Sequence, residues 1–332
     1  MRNRLLVTSF ALLATVTLAP LPASAQGKAS GLSRTPDGKP NLAGIYSFST
    51  ITPLQRPDAL AGKETLNQEE AAAFEASENT RLNRDLFDPI KGQPSAGYAP
   101  KAEGGVLSYN EFWYERGSRL TNDKRTSLIF DPPDGRIPLT EAARRRVAEM
   151  TQRSNSGFGD SYEDRSLADR CLMGFNSGPP MVPGAYNNNL QILQAPGQVV
   201  IINEMVHSAR IIPTDGRPHT TLRQWTGDSR GRWEGDTLVV ETINFRRETS
   251  LQGSTADTRL MERFTRVDND TIKYEFTVSD PTSYTRPWSA MVPLSRIQGP
   301  LFEYACHEGN YALPNILAGA RAQEKEQANA GR

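Results

Sequence analysis

Residues 272–278 read Ile-Lys-Tyr-Glu-Phe-Thr-Val, and the fold class follows from that alternation. Ile272, Tyr274, Phe276 and Val278 fall on one side of an extended chain, with Lys273, Glu275 and Thr277 on the other. A period of two describes a strand with one buried and one wet face, the usual state of an antiparallel sheet. The same grammar runs outward in both directions. Residues 261–267 precede this strand across an Asp268-Asn269-Asp270 turn, and 287–294 and 301–305 follow it, separated by Ile297-Gln298-Gly299-Pro300. Upstream, 190–193, 199–203, 210–212, 220–225, 231–233 and 237–245 are each bounded by turn residues such as Ala195-Pro196-Gly197, Asp215-Gly216 and Glu234-Gly235-Asp236. With 44–46 as an opening strand the count is about eleven, and an antiparallel meander closed or nearly closed into a barrel is the economical architecture. A two-sheet sandwich is the alternative.

The rest of the chain has a different grammar. Residues 26–187 are irregular and proline-rich, with a helix expected over 68–84, where Thr65 and Asn67 are candidate caps with Gln68 and Glu70 three residues after them, and a second over 141–152 with Ala143, Val147 and Met150 on one stripe. Between them lie an aromatic segment, NEFWYERG, and a short strand ended by Pro132-Pro133-Asp134-Gly135. This part is expected to wrap the strands of 188–312 rather than build a core of its own, and 313–332 reads as a tail.

Residues 1–25 have the form of a signal peptide. Arg2 and Arg4 precede an apolar run, and Ala23-Ser24-Ala25 forms a small-residue cleavage site. The run is too short to span a bilayer, so the expectation is a periplasmic or secreted protein with no membrane insertion. Without it, 36 basic and 38 acidic residues remain. That balance argues against nucleic acid as a general partner. No linker or repeat divides the remaining chain, so one domain is expected. In an oxidising compartment the only two cysteines, Cys171 and Cys306, are expected to form a disulfide.

Direction alternation along the meander sorts the turns into two poles. One pole collects Asn187–Asn189, Glu204, His207, Trp225, Asp228, Asp280, Tyr284, His307, Glu308 and Tyr311, with the Cys171 loop tied there by Cys306. His207 and His307 are the proton-transfer candidates, with Asp228 and Glu308 to orient or charge them. Trp225, Tyr284, Trp288, Tyr304, Tyr311 and Asn188 can line a pocket for a ring-bearing or sugar-like ligand. His219 begins the next strand at the opposite pole, which argues against a three-histidine metal centre; the chemistry expected is metal-independent and without cofactor. Gly227-Asp228-Ser229-Arg230-Gly231 has the letters of a nucleophile elbow but lies in a hairpin, where an elbow needs a strand entering a helix. Arg210 could bind a carboxylate, though it reads first as a solvated strand arginine. These features describe an enzyme acting by acid–base chemistry (lyase, isomerase or hydrolase), or else a non-catalytic periplasmic binding protein using the same aromatic pole.

The segments RTPDGKPNLAGIY, RTSLIFDPPDGRIPLT, GDSRGRWEGDTLVVETINF and CHEGNY, in this order, resemble a group of exported bacterial proteins described as hypothetical. The resemblance spans nearly the whole mature chain and implies export without implying an activity. NLAGIY also resembles the Gly-x-Trp opening of lipocalin-type barrels, with Tyr46 in the tryptophan position.

Overall fold

A computed structural model describes residues 32–86, 111–155 and 159–330. The expected signal peptide lies outside the described residues. Among the described residues ten strands form: β1 (Gly44–Ser47), β2 (Ile129–Asp131), β3 (Asn189–Ala195), β4 (Gln198–Asn203), β5 (Ala209–Pro213), β6 (Asp228–Glu234), β7 (Thr237–Ile243), β8 (Arg259–Arg266), β9 (Thr271–Ser279) and β10 (Trp288–Arg296). Nine of them make one antiparallel sheet in the order β5-β4-β3-β1-β10-β9-β8-β7-β6, curled into a nearly closed barrel, and β2 pairs with β10 outside that path. Among the described residues no ladder joins β5 to β6, so this is where the barrel stays open. The two edges still meet at Gly231, where a methyl group would sit 2.9 Å from Ile212 Cγ2 and Thr214 Cγ2.

The alternation of 272–278 does what its period requires. Ile272, Tyr274, Phe276 and Val278 are fully buried, and they join Leu190, Ile201, Leu238, Val240, Leu260, Phe264 and Trp288 in one core. Trp288 packs edge-on against Phe276 and Tyr284, with centroids 5.7 and 6.0 Å apart. β1 fills the place between β3 and β10, and Gly44 leaves room there for the Arg296 guanidinium, which lies 5.0 Å over the Tyr46 ring. The segment Gly178–Met181 enters the barrel, burying Met181 and donating its N–H to Tyr274 Oη at 3.1 Å.

Inside the core sits a charged pair. Arg210 on β5, expected to be solvated, is 6 % exposed and forms a bidentate pair with fully buried Glu262 on β8, with Nη2 2.9 Å from Oε1. Tyr274 Oη also donates to Glu262 Oε1, at 2.8 Å. Burial, and next the Glu262 charge, push the Tyr274 hydroxyl well above its ordinary pKa and keep it a donor.

Two expected strands are absent. Residues 220–225 belong to an irregular crossing from Thr214 to Gly227, with one isolated bridge from Gln224 to Phe245 in place of a ladder. Residues 301–305 form an irregular strap. Turn residues bound both stretches, but neither has the alternation that buries one face. Beyond the strap the expected tail is a helix, α3 (Ala312–Ala330).

The helices α1 (Gln68–Leu82) and α2 (Glu141–Asn155) form as the sequence indicates, and the Asn67/Glu70 capping box closes the start of α1. The wrap does build a small core of its own, since Ile51, Leu66, Ala71 and Leu120 bury one another beneath Leu60, Phe74 and Leu82. On α2, Ala143 is buried while Met150 stands exposed. The helix is instead pinned by Arg146, whose Nη2 donates to Gly253 O at 2.9 Å and Ser283 Oγ at 2.8 Å.

Asp280 organises that junction. It accepts from Thr255 N, Thr255 Oγ1, Thr282 N, Thr282 Oγ1 and Ser283 Oγ, at 2.7–3.0 Å. Burial alone would raise its pKa, but these donors outweigh burial and hold the carboxyl at about 2. An aspartate in the unfolded chain titrates near ~3.9, so this contribution to stability is present above that value and disappears as pH falls towards about 2. Asp280→Asn should therefore destabilise the protein at neutral pH by roughly 2–3 kcal/mol and flatten its stability profile between pH ~2 and ~4. Urea unfolding across that range checks both.

Candidate functional site

The side chains expected at the functional pole are distributed among several settings. Asp228 is buried at the start of β6 and is held by His219 Nδ1 at 3.0 Å, Thr220 N at 2.7 Å and Arg230 Nη1 at 2.6 Å. His219 thus lies beside Asp228 rather than at the far end of a strand, because residues 214–227 cross irregularly. Its Nε2 also lies 3.4 Å from Glu241 Oε2. His207 lies in the β4–β5 connection, and its Nε2 accepts the Tyr304 N–H at 3.0 Å. His307 and Glu308 are exposed in the turn after the disulfide. Among the described residues no hydrogen bond or ion pair joins His207, His307, Asp228 and Glu308 to one another.

Of the aromatic candidates, Tyr284 and Trp288 are core residues, and the Tyr284 hydroxyl donates to Leu251 O at 2.6 Å. Trp225 is half-buried under the Arg246 guanidinium, 4.3 Å from its ring. Tyr304 stacks on Tyr186 with centroids 6.4 Å apart, and Tyr311 is exposed. Asn188 is fully buried and splices the wrap to the barrel: its amide donates to Glu115 O and Gly184 O and accepts from Gly184 N and Asn176 Nδ2. Cys171 and Cys306 form the expected disulfide, with Cα atoms 5.8 Å apart. The Gly227–Gly231 run makes no elbow; Ser229 is buried in β6 with its hydroxyl 2.9 Å from Thr242 Oγ1.

What the fold does assemble is a pair of carboxylates. Glu204 follows β4 and is 3 % exposed; it accepts from Asn187 Nδ2 at 2.6 Å and from the Phe302 N–H of the strap at 3.1 Å. The Asn189 amide nitrogen lies 3.4 and 3.5 Å from the Glu204 oxygens and 3.0 and 3.1 Å from those of Glu115. One amide thus bridges two acids, and neither is more than about two hydrogen-bond lengths from the other. Glu115 comes from the aromatic segment of the wrap, positioned by its N–H to Ala185 O at 3.1 Å, and it remains open to solvent. Partial desolvation pushes the Glu115 carboxyl above its ordinary pKa, the Asn189 amide draws it back, and the negative charge of Glu204 adds to the rise.

The backbone around this pair is unusual. Asn187, Val206 and His207 all have left-handed dihedrals, with φ of 52°, 52° and 50°. For a β-branched valine that region is a true outlier, costing of order 1–3 kcal/mol, and such strain concentrates where side chains must be aimed. Here it aims His207 at the strap and Asn187 at Glu204. Glu204, Asn187 and Asn189 were within reach of the sequence. Glu115 was not, because nothing in NEFWYERG marks which of its residues faces the barrel.

No protein-family model, curated protein or solved structure matches the chain. Among the described residues no helix is long and apolar enough to cross a membrane.

Proposed function

We propose that this chain is an exported enzyme that performs acid–base chemistry on a small ring-bearing or sugar-like molecule, as a lyase, isomerase or hydrolase. The observation that carries the reading is the bridged pair of unequal carboxylates. Glu115, accessible and raised in pKa, suits the general acid, while Glu204, buried among N–H donors, suits a fixed negative partner. His207 has its Nε2 committed to the Tyr304 N–H, which places the proton of the neutral ring on Nδ1 and makes that atom a donor toward a ligand. Tyr304 and Tyr186 supply an aromatic wall. The disulfide supports an oxidising compartment, in keeping with the signal-peptide pattern and with the resemblance to exported bacterial proteins.

The test needs no known substrate at first. In a carboxyl 13C NMR titration, Glu115 should show a midpoint above the ordinary glutamate value, and Glu204→Gln should lower it by removing the neighbouring charge. A Glu115 midpoint that is ordinary and indifferent to Glu204→Gln ends the proposal. In a turnover screen on aryl glycosides and sugar lactones, Glu115→Gln should cost about 10²–10⁴-fold in rate.

The second reading, a binding protein, draws on the commitment of His207 Nε2 to a backbone donor, which leaves that nitrogen no part in proton transfer. It prevails if Glu115→Gln and His207→Ala alter ligand affinity in a protein that turns nothing over.

A further inference from the structure

The open edge of the barrel leads to a cleft of about 300 Å³ at the end of β6 away from Asp228. It is lined by Lys39, Gln198, Thr214, Gly231, Arg232 and Trp233, among others. Its shape follows from the unpaired edges. β5 and β6 approach closely at Gly231, and two residues on, Trp233 packs partly against the core and also lines the cleft. The segment carrying Lys39 is locked across the barrel end: Thr35 N donates to Lys39 O at 2.8 Å, and Gln194 binds both Pro40 O and Leu42 N. Gly216, with φ of 80°, would meet nothing within 4 Å if it carried a β-carbon, so that turn leaves the mouth clear.

The polar groups of this cleft are unequally committed. Arg232 is held by Glu234, with Nε 2.9 Å from Oε1, and Asp37 accepts the Thr35 hydroxyl at 2.5 Å. Lys39 is half-buried, and among the described residues its ammonium has no hydrogen bond or ion pair. The side chains of Gln198 and Thr214 likewise have no hydrogen-bond partner among the described residues. A partly desolvated ammonium that forms no ion pair gains most from an incoming anion, which Asp37, on the same lining, leaves to Lys39 by facing the Thr35 hydroxyl. An indole face adds affinity for a flat ring, whether aromatic or the apolar face of a sugar.

We propose that this cleft binds a ring-bearing carboxylate, with its ring on Trp233, its carboxylate on Lys39 Nζ and its remaining polar groups on Gln198 and Thr214. The volume lies at the lower end of small-molecule sites, which favours a single ring. The site is independent of the Glu115–Glu204 pair and stands or falls separately from it.

The test is isothermal titration of the oxidised full chain with D-glucuronate, benzoate and D-glucose, followed in parallel by tryptophan fluorescence. At least one of the two carboxylates should bind saturably and change the fluorescence, and glucose should bind about tenfold more weakly or not at all. Lys39→Met, which keeps the apolar stem, should weaken the carboxylate about tenfold or more with no change in melting temperature. Trp233→Phe should remove most of the fluorescence response while retaining binding. Which carboxylate binds distinguishes a sugar acid from an aromatic acid as the natural class. The proposal is overturned if neither saturates by about 50 mM, or if Lys39→Met binds as tightly as the parent.

Discussion

Replacing Cys171 and Cys306 together by serine should lower stability by about 4–5 kcal/mol in the chain-entropy account, because the bridge closes a separation of 135 residues. For a chain of this size that corresponds to a melting temperature lower by roughly 10 °C. The loss should also be felt locally. The strap preceding Cys306 carries the Phe302 N–H that Glu204 accepts and the Tyr304 N–H that His207 accepts. Calorimetry of the parent and the double variant measures the first effect, and hydrogen exchange at the Phe302 and Tyr304 amides measures the second. A melting shift under about 2 °C would mean that the strap is held by its own contacts rather than by the bridge.

Glu262→Gln should destabilise the protein by about 3–5 kcal/mol, since it leaves the Arg210 charge buried inside the barrel without its carboxylate. The more informative variant is the triple change Arg210→Met, Glu262→Met and Tyr274→Phe, which removes both charges and the hydroxyl together and leaves only the Met181 N–H without its acceptor. Buried pairs replaced by apolar residues of similar volume are often neutral or stabilising, so this variant should fall within about 2 kcal/mol of the parent in urea unfolding. If it is as unstable as Glu262→Gln, the pair is stabilising in its own right and the desolvation argument fails here.

The sheet could be read from the sequence where a strand has one dry and one wet face. Residues 272–278 announce themselves by alternation, and β10 and β8 carry the same signature. A cap at the start of α1, at Thr65 or Asn67, and the disulfide were equally legible, because they depend on local spacing or on there being only two cysteines. What could not be read were stretches whose conformation is decided by distant partners. Residues 220–225 are bounded by turns like any strand of this chain, yet Asp228 captures His219 and the Thr220 N–H and bends the crossing away from the sheet. Arg210 looked solvated because its partner, Glu262, lies three strands further along the chain. Glu115 could not be found because the choice among neighbouring polar residues is made by Asn188 and Asn189, more than seventy residues downstream. The site was legible as a region, through Asn187–Asn189, Glu204 and His207, and not as a set of pairings.

The position of β1 sets the order in which this protein can be completed. Residues 44–47 are among the first of the barrel to be synthesised, but both their neighbours come late: β3 begins at Asn189, and β10 ends at Arg296. Until β10 exists, β1 has one edge to pair with instead of two, and the two halves of the sheet have no strand to join them. Closure therefore rests on contacts separated by about 250 residues, the kind of non-local pairing that makes β proteins slow to fold. A chain that has emerged only as far as residue 287 would hold β3, β4 and β5 as one hairpin series and β6 to β9 as another, with the first strand waiting between them.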